Sequence, residues 1–124
     1  MEDNDIKYSK NHMWVRIEDD FVFIGVTEEF LEDIDEIVEI NLPKAGEDIE
    51  SEEPFGSVDT GEELVDLIAP ISGEILKVNK KIVKDPGILI EDPMGEGWLL
   101  KVEPYDWEEL SNLLDEEEYE REIQ

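Results

Sequence analysis

The chain has 124 residues, with 37 Asp and Glu against 10 Lys and Arg, a net charge of −27 and no cysteine. Such a length holds one domain, since single cores span roughly 100 to 200 residues. The charge repels nucleic-acid backbones and anionic bilayers, and the missing thiols remove disulfides, thiol catalysis and thiolate metal sites. Apolar residues make up 40% of the chain, including three Trp, three Tyr and four Phe, so a core is expected beneath an acidic surface. Residues 1–10 are polar, and no segment approaches the ~18 consecutive apolar residues of a membrane span. A cytoplasmic monomer is expected.

Trp14–Ile17, an acidic turn at Glu18-Asp19-Asp20, and Phe21–Val26 predict an opening β-hairpin. Thr27 then caps a short expected helix, with Phe30, Leu31 and Ile34 on one face and Glu28, Glu29 and Asp33 near its positive end. From Glu36 the period becomes two, predicting a strand through Leu42 that ends at Pro43-Lys44-Ala45-Gly46. The pattern Pro-x-x-Gly-Glu begins at Pro43 and again at Pro70, 27 residues later, which points to two similar β units. Between them, Phe55–Asp59 and Leu64–Leu67 flank an acidic, Gly-containing centre, the signature of a second hairpin. Ile75, Val78 and Ile88-Leu89-Ile90 suggest further strands, and Trp98–Val102 closes the sheet. Asp106, with Glu109 in the capping-box position, opens an amphipathic helix carrying Trp107, Leu110, Leu113 and Leu114. Its continuation to 124 is strongly acidic and reads as a solvated face.

Catalytic chemistry finds little footing. His12 is the single histidine, and no Gly-x-Ser-x-Gly elbow accompanies it, so it is expected to pack near Trp14. Asp59, Glu62 and Glu63 offer oxygen ligands but lack the Asp-x-Asp-x-Asp-Gly spacing of a calcium loop, and no metal is expected. Lys77, Lys80, Lys81 and Lys84 make a local positive spot, suited to intramolecular pairing or to an acidic partner.

Taken in order, Tyr8–Arg16, Ile24–Thr27, Ile37–Pro43 with Gly46, Phe55-Gly56, Ala69–Ile75 with Val78-Asn79, Asp85-Pro86, Glu91–Pro93 and Gly95–Leu99 resemble the glycine cleavage system H protein family. The resemblance covers nearly the whole chain, as a single H-protein-like domain over 1–124 with 106–124 as its C-terminal acidic helix. It implies a mainly β, lipoyl-domain-like (hybrid-motif) sandwich of two small antiparallel sheets. A short helix follows the first hairpin, and an amphipathic helix ends the chain.

In this family a lysine at the tip of a hairpin, in a string like Glu-Ser-Val-Lys-Ala, carries lipoic acid, whose dithiolane supplies the reactivity. Counting from Gly56 to Pro70 places Asp59, Thr60, Gly61 and Glu62 at the first four positions of that string, with Glu63 at the Ala. The lipoyl-lysine position is thus occupied by Glu62, and no lysine lies between Lys44 and Lys77. Asp35 and Ile90 also stand where the family usually has Gly and Asn. The resemblance therefore implies a non-enzymatic binding, scaffolding or regulatory module without lipoate or any other cofactor. Glycine decarboxylase, aminomethyltransferase or dihydrolipoyl dehydrogenase are the partners it suggests. The alternative is a lipoyl carrier that shuttles an aminomethyl group on an unconventional lysine, Lys77, Lys80, Lys81 or Lys84.

Overall fold

The computed structural model describes residues 6–18, 20–32 and 34–122. Outside the described residues lie 1–5, Asp19 of the acidic turn, Asp33 of the first expected helix, and 123–124 of the acidic C-terminal segment. Strands β1 (Ile6–Tyr8), β2 (Met13–Ile17), β3 (Val22–Val26), β5 (Asp48–Ile49), β8 (Gly73–Val78) and β9 (Leu100–Pro104) form one sheet in the order β1-β2-β3-β9-β8-β5. Strands β4 (Glu39–Asn41), β6 (Pro54–Asp59) and β7 (Leu64–Ile68) form the other, in the order β4-β6-β7. All pairings are antiparallel, and the two sheets make the expected sandwich.

Because strand side chains alternate between faces, each sheet sends one set inward. Met13, Val15, Ile24, Ile75 and Val102 of the larger sheet are buried, as are Ile40, Val58 and Leu67 of the smaller. The opening hairpin is locked by one close approach. Trp14 pairs with Gly25 across β2–β3, and a Cβ on Gly25 would lie 2.5 Å from the indole ring. Trp14 is fully buried, and its indole N–H donates to the Pro93 carbonyl at 3.0 Å.

The two Pro-x-x-Gly-Glu units meet in space. Asp48 pairs with Glu74, and exchanging the units at their 27-residue offset turns this pair into Ile75 with Glu47. These two residues are indeed joined, Ile75 N–H donating to the Glu47 carbonyl at 2.9 Å. The units thus lie side by side as antiparallel neighbours across β5 and β8.

Six expectations need correction. The segment after Thr27 forms consecutive turns rather than a regular helix: Phe30, Leu31 and Ile34 donate to carbonyls three residues back, while Leu31 is buried as expected. The strand expected over 36–42 shrinks to β4, because a bend at Val38 turns that side chain outward, 57% exposed, between buried Ile37 and Ile40. Ile88-Leu89-Ile90 belongs to helix α2 (Gly87–Glu91), not to a strand. Pro86, at φ −60° and ψ −19°, sets helical backbone just before it, and local turn chemistry overrides the β-branched composition.

The C-terminal helix is two pieces, a 3₁₀ helix (Trp107–Asn112) and α3 (Glu116–Glu122). Between them Leu114 exchanges two 2.7 Å backbone hydrogen bonds with Tyr8 at the edge of β1, which a continuous helix cannot make. Asp106 caps the first piece through Glu108 N–H, but Glu109 reaches instead to Ser72 N–H at 2.8 Å. The reciprocal capping box belongs to Asp115 and Glu118, at 2.8 and 3.1 Å. Trp107, expected on the buried stripe, is 42% exposed. Among the described residues no helix is long and apolar enough to cross a membrane.

Candidate functional site

The hairpin singled out by the sequence is β6–β7, paired from Pro54–Ile68 out to Asp59–Leu64. Its base is held to β4 by a close approach at Gly56, where a Cβ would collide with the Asn41 carbonyl. At its end Val38 N–H donates to the Asp59 carbonyl at 2.7 Å. Residues 60–63 make the loop, closed by Thr60 N–H to the Glu63 carbonyl at 3.0 Å.

The loop is held by its own short polar side chains. Asp59 Oδ1 accepts from Gly61 N–H at 2.8 Å, and the Thr60 hydroxyl accepts from Glu62 and Glu63 N–H, each at 3.3 Å. Gly61 sits at φ +92°, a region that L side chains rarely adopt. Glu62 and Glu63 are exposed, and exposed Leu64 flanks them. The tip therefore offers carboxylates, a hydroxyl and a glycine, and no primary amine. These residues do not fit an amide-linked prosthetic group at this position. Among the described residues no cluster of three or more His, Asp or Glu is arranged to hold a metal ion.

The four lysines lie elsewhere. Lys77 is on β8, and Lys80, Lys81 and Lys84 are on helix α1 (Lys80–Lys84), which packs against α2 and β4. All four are exposed. Among the described residues only Lys81 of this group is ion-paired, with Glu96 at 3.4 Å, so intramolecular pairing accounts for one of the four.

His12 packs edge to face on Tyr119, with ring centroids 5.8 Å apart. It sits at φ +65° in the turn before β2, and its ring faces α3. His12 Nδ1 lies 2.7 Å from the Tyr119 hydroxyl, which also meets Thr27 Oγ1 at 2.8 Å and donates to Glu29 at 3.3 Å. Tyr8 stacks on Tyr119 with ring centroids 4.7 Å apart. Burial raises the Tyr119 phenol to about 12; the Thr27 hydrogen bond works against this, and the Glu29 charge adds to it. This is an anchor for the C-terminal segment rather than a nucleophile with its base. Sequence reasoning missed it because its members are up to 107 residues apart. The one available signal was a lone Tyr in an otherwise acidic run.

The chain matches known proteins over nearly its whole length. The family model described as Glycine cleavage H-protein matches residues 6–124. A glycine cleavage system H protein from a Geobacillus species is 41% identical over 116 residues, covering 94% of this chain and 91% of that protein. One from Thermotoga maritima is 40% identical over 113 residues, covering 91% of each. The crystal structure of a glycine cleavage system H protein from Mycobacterium marinum superposes with a TM-score of 0.88 at 34% identity, covering 98% of both chains. Fold, length and matched span agree, and the chain belongs to the glycine cleavage H-protein family, whose members are non-catalytic carriers.

Proposed function

We propose that this protein is a cytoplasmic, partner-binding member of the H-protein family that carries no lipoyl group and works as a scaffolding or regulatory module. The observation that carries the reading is the β6–β7 hairpin, whose loop 60–63 presents Glu62 and no lysine. Attachment needs an amine to form the amide, and a carboxylate cannot supply one. The surfaces around that hairpin remain available to glycine decarboxylase, aminomethyltransferase or dihydrolipoyl dehydrogenase, the partners that family membership suggests. A net charge of −27 opposes self-association and favours a monomer.

Intact mass of protein purified from a lipoate-replete host with active ligase tests this directly. Only the unmodified mass is expected. A lipoyl adduct on any lysine overturns the reading.

A second reading has the family match in its favour, since relatives covered over nine-tenths of their length bear the H-protein name. In it the chain is a working carrier of an aminomethyl group, lipoylated at Lys77, Lys80, Lys81 or Lys84. Peptide mapping of any adduct distinguishes it, because the modified residue must then fall within 77–84. Against it stands the local frame: these lysines lie on a sheet strand and a short helix, not at a hairpin tip.

A further inference from the structure

A second feature owes nothing to the hairpin. On β8 the ladder to β9 pairs Ile75 with Val102 and then Lys77 with Lys101, leaving Leu76 as the extra residue of a β-bulge. Bulges re-aim side chains. Here the result is that Leu76 and Lys77, adjacent in sequence, are both exposed, Leu76 by 41%. Leu76 lines a cleft of about 930 Å³ whose other walls include Trp98 and the Pro43–Ala45 turn.

Hydrogen bonds from one buried side chain hold the backbone walls of the cleft together. Asn79 is 4% exposed and spends its amide on three bonds. Its Nδ2 donates to the carbonyls of Glu96 at 2.8 Å and Trp98 at 2.7 Å, and its Oδ1 accepts from Lys81 N–H at 3.1 Å. These bonds tie the start of α1 to the opposite wall. Trp98 is held from behind by Phe23, edge to face at 5.2 Å.

Around this apolar floor stand Lys44, Lys77, Lys80 and Lys81, four of the ten basic residues in the chain. Glu96 is the one carboxylate in the lining, so the lining charge is 4 − 1 = +3 on a body of −27. Lysines crowded on one rim repel each other, and a counter-charge relieves that cost. A preformed apolar concavity with a few charged groups at its edge is the usual build of a small-ligand site. Charge also selects among anions. Repulsion from the whole body grows with ligand charge, so a polyanionic macromolecule is turned away at long range, whereas a monoanion loses least and recovers it at the rim.

We propose that this cleft binds a small amphipathic carboxylate, its apolar body on Leu76 and Trp98 and its anionic head at the lysine rim. The shared chemistry admits an aliphatic chain or an aromatic ring as the body.

The test uses the full-length, unmodified protein, titrated with octanoate, with 1-naphthoate and with neutral octanamide, and read by ¹H–¹⁵N correlation spectra. Either carboxylate should give saturable shifts confined to 44–45, 76–81 and 96–98, including the Trp98 indole N–H. The tighter of the two identifies the preferred body. Octanamide should bind roughly five- to tenfold more weakly than octanoate, and Lys77→Gln/Lys80→Gln should weaken octanoate by a similar factor. Both lysines are exposed, so the variant's remaining resonances report an unchanged fold. Absence of saturable shifts with both carboxylates, shifts centred elsewhere, or equal affinity for octanamide or for the double variant would each overturn the proposal. None of these outcomes depends on whether Glu62 leaves the hairpin unmodified.

Discussion

Two hairpins of this molecule, β2–β3 and β6–β7, share antiparallel pairing and short acidic turns but differ in what holds them. At β2–β3 the lock is non-local: the Trp14 ring lies over Gly25 and bonds a carbonyl 79 residues away at Pro93. At the tip of β6–β7 every hydrogen bond made by residues 60–63 closes within four residues, and the Glu62 and Glu63 side chains face solvent. Substitution at the first is constrained by packing from several directions, because interiors are close-packed. The second is constrained by its own loop and by Val38 alongside it. A family function carried on a hairpin tip is therefore the part of this fold that can change without the fold changing.

The strongest way to break this contrast is Gly25→Ala. The added methyl must displace the indole and with it the bond to Pro93, and a loss of about 3 kcal/mol in urea unfolding is expected. A loss below about 0.5 kcal/mol would show that the Trp14 site is as plastic as the tip.

Tyr119→Phe probes a second non-local lock, and about 1 to 2 kcal/mol should go with its hydroxyl. The same residue gives an alkaline signature. The folded phenol is raised to about 12 from 10, so its contribution is complete below pH 10 and is lost as pH climbs through 12. Stability should fall across that window, and the Phe variant should show a shallower fall. An unchanged slope would remove Tyr119 from the anchor.

Rebuilding the tip as Asp59→Glu, Thr60→Ser, Gly61→Val, Glu62→Lys and Glu63→Ala should cost about 1 kcal/mol, because valine strains the positive φ of Gly61 and the loop must re-form. This variant should accept a lipoyl group from a lipoate ligase, read by mass. Glu62→Lys alone should change stability by less than about 0.5 kcal/mol and gain little or no lipoyl mass, since the ligase must also find the right turn. Full modification of the single variant would show that the present loop shape already suffices. No modification of the folded five-residue variant would place the defect beyond the hairpin.

Much of this was legible along the chain. Apolar, β-branched and aromatic runs flanking acidic turns marked β2, β3 and β6–β7, and the Pro-x-x-Gly-Glu echo marked units that prove to be neighbours across β5–β8. The ordered strings pointed to the family, and counting from Gly56 put Glu62 in the loop where the structure has it. Composition misled at Ile88-Leu89-Ile90, where Pro86 determined the backbone, and capping-box spacing misled at Glu109, whose carboxylate went to Ser72 rather than to its own helix. The bulge at Leu76 left no trace in the sequence, because one extra residue in a strand shows only against its partner's register.

The residue types at the hairpin tip, the absence of an amine there and the overall charge are properties of the chain as written, since chemistry of that kind does not wait on folding. Which distant groups meet was decided by the tertiary structure alone. His12 turned to Tyr119 and Lys44 joined Lys77, Lys80 and Lys81 around one apolar cleft because sheet register and burial bring together residues far apart in the chain, and those forces act between segments rather than along them.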